Sequence, residues 1–214
     1  GALQWTTSLC RLDVAEAVMT LSRCRAAPRL GHLERAKRIV GYLKKYPQGA
    51  LRFRTGIPNH EAICGDKPPT FDWHYTVYGE PVEDIPINAP RPLGKPVRTT
   101  TFCDANLMHD CTTGRSATGI LHMMNQTVIE WFSKRQGQVE SATYGSEFVA
   151  ARIAVEQIID LRYTLRILVV PLDGPAWLFG DNQSVITSST IPHSTLSKRW
   201  NALSHHRARE STAA

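Results

Sequence analysis

Residues 97–136 read VRTTTFCDANLMHDCTTGRSATGILHMMNQTVIEWFSKRQ. Two β-prone runs within them, 118–124 and 127–132, flank the polar pair Asn125-Gln126. Branched and aromatic side chains suit a pleated sheet, and two polar residues between such runs predict a tight hairpin. A Thr-rich run at 98–103 precedes the hairpin and predicts a third, antiparallel strand. Downstream, Ser141 or Thr143 can cap a long helix. Its Phe148, Ala151, Val155, Ile158 and Leu165 recur on one side, and Pro171 and Gly174-Pro175 end it. A short apolar strand follows at 176–180, then a polar helix at 194–210. A helix that crosses from antiparallel strands to one further strand makes a mixed α/β sheet.

The rest of the chain differs in texture. It has 214 residues, 42% hydrophobic and 21% charged, which is enough for one good core and argues against wholesale disorder. No apolar run approaches the roughly 18 residues of a membrane span. The five cysteines, Cys10, Cys24, Cys64, Cys103 and Cys111, form no Cys-x-x-Cys pair. That excludes a zinc cluster of that kind and a disulfide framework, and it predicts a reducing compartment. Without an initiator Met or a signal peptide at Gly1, the chain reads as a piece of something longer.

Charge is uneven. Residues 1–54 hold eleven Lys/Arg against three Asp/Glu, a net +8 within a total of +6. That segment predicts two helices. In the first, Leu12, Ala15, Val18 or Met19, and Leu21 form an apolar stripe, broken by Ala26-Ala27-Pro28. In the second, Leu33, Ala36, Val40 and Leu43 share a face, while Arg35, Lys37, Arg38, Lys44 and Lys45 cover much of the remainder. Such a surface suits a phosphate backbone, although a solvated helical hairpin looks the same. Residues 55–95 carry seven of the 13 prolines and a net charge of −3. They predict a linker, anchored by Phe71, Trp73, Tyr75 and Tyr78. Residues 96–214 form the α/β unit.

Three carboxylates stand where the inferred topology brings elements together. Asp104 ends the first strand, Glu147 lies near the start of the long helix, and Asp181 follows the fourth strand. Each has a plainer reading: a turn former, a partner for the helix dipole, and a neighbour of the cap residue Asn182. Together they would repel one another unless divalent cations neutralised them. Oxygen donors of this kind favour Mg²⁺ or Mn²⁺, and two such ions suit in-line attack on a phosphodiester.

The motifs that surround these residues resemble a known family. In order they are Phe102-Cys103-Asp104-Ala105, Arg115-Ser116-Ala117-Thr118-Gly119, Trp131-Phe132-Ser133-Lys134-Arg135-Gln136, Ser141-Ala142-Thr143-Tyr144-Gly145-Ser146-Glu147, Gly180-Asp181-Asn182-Gln183-Ser184 and His206-Arg207-Ala208-Arg209-Glu210. The set resembles the ribonuclease H domain of copia-type retrotransposon polyproteins. Arg11-Leu12-Asp13-Val14-Ala15, Ser22-Arg23, Pro28, His32-Leu33 and the run 37–44 resemble the segment that joins reverse transcriptase to that domain. The resemblance implies a ribonuclease H-like, five-stranded mixed sheet and cleavage of the RNA strand of an RNA–DNA hybrid. It implies Asp104, Glu147 and Asp181 as ligands of two Mg²⁺ or Mn²⁺ ions. It also implies the reverse transcriptase portion as a partner, no membrane, and a cytoplasmic place within virus-like particles.

The tail departs from the family. Arg199 and Trp200 stand where a Lys-His pair is usual, and Ala202 where an Asp is usual. His206 remains, one helical turn on, and could partly stand in as ligand or proton carrier. His205 is the weaker candidate, and both histidines could equally be surface residues. Lys134, Arg135 and Gln136 are candidate hybrid contacts beside the site, with Arg38, Lys44 and Lys45 further off. No Tyr-x-Asp-Asp motif occurs, so this chain is not expected to polymerise DNA. Two other readings stay open. One is a weakened or inactive clamp or scaffold for the polymerase, which Ala202 favours. The other is an integrase-type core, which would place its Glu last.

Overall fold

A computed structural model describes residues 1–64, 71–79, 81–196 and 198–214. The chain opens with α1 (Ala2–Ser8), a 3₁₀ turn (Leu12–Val14), α2 (Ala15–Ser22) and α3 (Leu30–Lys45). Val14, Val18 and Ile39 form a small core there, with Leu3, Ala17, Leu21 and Leu43 packed around it. The buried face of α3 is therefore centred on Ile39. Leu33 and Val40, expected inside, are 52% and 54% exposed. Adjacent helical positions lie about 100° apart, and α2 docks against Ile39, which leaves Val40 in solvent. Arg11 ties this unit together through Asp13 at 2.8 Å and the Tyr46 carbonyl at 2.9 Å. Its side chain fills the space a Cβ at Gly49 would need.

A one-turn helix, α4 (Glu61–Cys64), precedes the sheet. The strands are β1 (Thr99–Asp110), β2 (Arg115–Met124), β3 (Thr127–Arg135) and β4 (Trp177–Phe179). Their order is β3-β2-β1-β4. The first three are antiparallel and β4 runs parallel to β1. Asn125 turns the β2–β3 hairpin at φ 53°, a region Asn tolerates better than most residues. Its Oδ1 accepts the Arg98 N–H at 2.9 Å.

The long helix α5 (Thr143–Ile167) packs on β1 and β2, with α6 (Gln183–Thr190) and α7 (Ala202–Ala213) against it. Cys103, Ile120, Phe148, Ala151, Ala154, Val185 and Ala208 make the main core, and Phe148 is fully buried. The α5 stripe read from the sequence is buried throughout. Asn182 caps α6, accepting from the Ser184 and Val185 N–H groups at 3.1 and 3.2 Å.

The sheet has four strands among the described residues, not five. At the end of α6 the backbone carbonyls are taken by a buried cation rather than by a further strand. Arg209 donates to the carbonyls of Ser188, at 2.7 Å, Ile191, at 2.8 Å, and Pro192. A 3₁₀ turn (Arg199–Asn201) then leads into α7, which starts at Ala202, later than the helix expected from residue 194.

The described residues among 55–95 carry little regular structure and strap the α/β unit. The Pro68-Pro69 pair lies outside the described residues. Trp73 is an anchor: it is 7% exposed, with the Arg209 guanidinium 4.9 Å from its ring centroid. Tyr75 is not an anchor, being 88% exposed. Further along, Glu83 accepts from Arg162 Nη2 at 2.8 Å and also pairs with Arg166, both on α5. That clamp holds the Glu83 carboxyl down at about 2, chiefly through the Arg162 hydrogen bond. No described helix is long and apolar enough to cross a membrane.

Candidate metal centre

Strand register brings the two aspartates level. Thr100 pairs with Trp177, Thr101 with Leu178 and Phe102 with Phe179. Continuing that parallel register sets Asp104, still paired with Gly119 of β2, beside Asp181, two residues past the end of β4. Glu147 comes from the second turn of α5, which crosses β1. One oxygen from each of Asp104, Glu147 and Asp181 lies within 4.8 Å of the others. The sequence-derived triad is thus assembled by the middle of β1, the start of α5 and the end of β4; Asp104 does not end its strand as expected, because β1 stays paired with β2 past it and runs on to Asp110.

The three acids differ in environment. Asp104 and Asp181 are exposed, whereas Glu147 is 6% exposed. Burial, then the charges of Asp104 and Asp181, push the Glu147 carboxyl up to about 7. The Ala105 backbone N–H hydrogen-bonds it and partly offsets the rise. A small, mostly apolar cavity of about 120 Å³, lined in part by Cys103, Ala151, Val155, Leu178 and Val185, adjoins Glu147 and accounts for its poor solvation. The same burial and the same three acids push the Cys103 thiol up to about 12, so it stays protonated. The donor set fits hard divalent cations: three carboxylates, no thiolate, and a buried Glu whose charge lacks a counter-ion.

His206 is not in this group. Its Nδ1 lies 2.6 Å from the Tyr78 hydroxyl of the strap, and its ring meets that of Tyr78 at 5.9 Å. The sequence reading missed Tyr78 as its partner, since nothing local marks a contact across 128 positions. His205 is 3% exposed and packs near Phe148. Burial, then Arg209 and His206, lower it to about 4, so it is neutral at pH 7. Ala202 is half-buried at the first position of α7.

The candidate nucleic-acid contacts divide. Lys134 is exposed at the end of β3. Arg135 is engaged by Asp110 at 2.7 Å, and the Asp110 carboxyl is held well below its usual range by the Thr113 hydroxyl and Arg135. Gln136 is 3% exposed and faces inward. Its Nε2 donates to Thr118 Oγ1 at 3.0 Å and to the Ser146 carbonyl at 2.9 Å. It therefore ties β2 to the turn of α5 that carries Glu147. Arg38, Lys44 and Lys45 are exposed on α3. Sequence reasoning missed the positioning groups, Gln136 and the Ala105 N–H, because a buried amide and a backbone N–H leave no pattern to read.

No protein-family model matches the chain. Among solved structures it is similar to the N-terminal RNase H domain of a Mycobacterium tuberculosis protein, solved as a fusion with maltose-binding protein. The sequences are 13% identical, the TM-score is 0.39, and the match covers 54% of this chain and 73% of that one.

Proposed function

We propose that this chain is a ribonuclease H-like nuclease that hydrolyses the RNA strand of RNA–DNA hybrids with divalent ions held by Asp104, Glu147 and Asp181. One observation carries the reading: three carboxylates with oxygens within 4.8 Å of one another, one of them buried, on the middle of β1, the start of α5 and the end of β4. Such a site is short of positive charge. The strand order and the order Asp, Glu, Asp along the chain also support the reading. Divalent ions bound there would activate water and offset charge on the phosphodiester. The Ala105 N–H orients the Glu147 carboxylate, and Gln136 holds the first turns of α5 in place. Lys134 is the side chain beside the sheet end that is free to meet a phosphate. Arg38, Lys44 and Lys45 extend the basic surface along α3, where contact is sequence-independent.

In this reading residues 1–54 are the segment after a reverse transcriptase, residues 55–95 the strap, and residues 96–214 the nuclease unit of a copia-type polyprotein. Its setting is cytoplasmic, in the particles of such an element. Ala202 favours a second reading, in which the chain binds hybrids as a clamp and does not cut them. Incubating labelled hybrid, all-DNA and all-RNA duplexes with the chain in Mg²⁺ tests the first. RNA-strand cleavage confined to the hybrid, abolished by chelation, supports it. A hybrid bound and left intact supports the clamp.

A further inference from the structure

The sheet face turned away from α5 carries a row of aromatic rings that leads to the carboxylates. Side chains alternate along a strand, so Thr100, Phe102 and Asp104 share one face of β1 while Thr101 and Cys103 share the other. Cys103 lies in the core under α5, which places Phe102 and Asp104 on the opposite face. On β4, Leu178 lines the cavity among α5, α6 and α7, so Trp177 and Phe179 also point the opposite way. The rings lie nearly parallel. Phe102 and Phe179 are 5.2 Å apart at 18°, and Trp177 and Phe179 are 6.1 Å apart at 15°. All three are half-buried.

The far end of the row is already occupied by a flat heteroaromatic ring. His60 of the strap stacks on Trp177 at 4.5 Å and 29° and tilts against Phe179 at 5.8 Å and 45°, with its Nε2 2.7 Å from Thr100 Oγ1. A nucleobase offers the same chemistry: a flat face, with ring nitrogens at its edge. From Thr100 to Asp104 the strand runs about 13 Å, so rings beyond His60 sit between it and the carboxylates.

We propose that Phe102 and Phe179, backed by the His60-covered Trp177, form a stacking platform for unpaired bases of a nucleic-acid strand that enters or leaves the Asp104–Glu147–Asp181 site. The proposal rests on the nuclease reading above for the identity of the ligand. Base–aromatic stacking is indifferent to sequence because every base has a π-face, and one stacked base is worth roughly tenfold in affinity. The platform therefore selects hybrids with a frayed or single-stranded end over blunt ones, whatever the sequence of that end.

The test uses the full chain in EDTA, where no cleavage occurs. Fluorescence anisotropy compares a blunt hybrid with the same hybrid carrying a short single-stranded tail. The parent binds the tailed hybrid about tenfold more tightly. That ratio falls towards one in Phe179→Leu and is kept in Trp177→Phe, which retains a flat ring. If Phe179→Leu does not fold, 2-aminopurine in the tail answers with the parent alone, since stacking quenches its emission. Equal affinity for the two hybrids, or an unquenched tail, overturns the proposal. A concentration-dependent dimer that Phe179→Leu dissolves, with no tail preference, overturns it in favour of a second copy on this face. Cleavage in Mg²⁺ is scored separately. A tail preference without cleavage keeps the platform and defeats the nuclease reading, whereas cleavage without a tail preference does the reverse.

Discussion

Replacing Glu147 by Gln is expected to stabilise the ion-free protein. Folding moves the Glu147 carboxyl from 4.5 up to about 7, so the fold favours its protonated form. The cost is absent below pH 4.5, grows as pH rises from 4.5 to 7, and is complete above 7. At about 1.4 kcal/mol per pH unit it reaches roughly 3 kcal/mol. Gln bears no charge and still accepts the Ala105 N–H. Glu147→Gln should therefore match the parent near pH 4.5 and exceed it by up to about 3 kcal/mol near pH 8, or roughly 6–12 °C in Tm for a chain of this size. Taking the difference between variant and parent removes His205 and Glu83, which titrate in both. Thermal and urea melts in EDTA across that pH range supply the profile. Adding Mg²⁺ near pH 8 should then raise the parent and leave the variant behind, because ligand binding to the folded state stabilises it. A variant-minus-parent difference that stays flat across this range would refute the claim that Glu147 is ionised against a burial cost.

Glu83→Ala should free the strap from α5 at about 1–2 kcal/mol, a charge-assisted contribution discounted for the partial exposure of Glu83. Because folding lowers the Glu83 carboxyl from 4.5 to about 2, this stabilisation is complete above pH 4.5 and lost as pH falls through 2, and urea melts of both proteins should show it. Gln136→Leu leaves the Thr118 hydroxyl and the Ser146 carbonyl without their buried donor and should cost about 1–3 kcal/mol in urea. Hybrid cleavage should slow with it, since the turn that carries Glu147 loses its tie to β2. Neutralising Arg38, Lys44 and Lys45 together should flatten the salt dependence of hybrid affinity by roughly one unit of log–log slope per lost phosphate contact. An unchanged slope would mean that α3 meets only solvent.

Much of the α/β unit was legible because its signals are local. Asn125-Gln126 marked the hairpin, the spacing of Phe148, Ala151, Val155, Ile158 and Leu165 marked α5, and the strand–helix–strand order placed the three acids. What escaped depended on distant partners. The described residues hold four strands, and the end of α6 is tied instead to Arg209, far along the chain, which takes the Ser188 and Ile191 carbonyls. Gln136 looks like a strand-end contact until Thr118 and Ser146 enclose it, and His206 looks free until Tyr78 reaches it. The inward face of α3 was misread by one position because Ile39 and Val40 are equally apolar, and only the docking of α2 chooses between them. Beyond its cap residue Asn182, helix α6 went unread because it has only eight residues, five of them Ser or Thr, whose hydroxyls compete with helical hydrogen bonds.

The central claim, that Asp104, Glu147 and Asp181 together hold divalent cations, is met most directly by titrating Mn²⁺ into the full chain by calorimetry near neutral pH. The parent should bind Mn²⁺ and release protons as Glu147 ionises. Asp104→Asn and Asp181→Asn should each weaken binding, by at least about tenfold if each removes one carboxylate ligand. Equal affinity in the parent and both variants would show that the three acids do not act as one site.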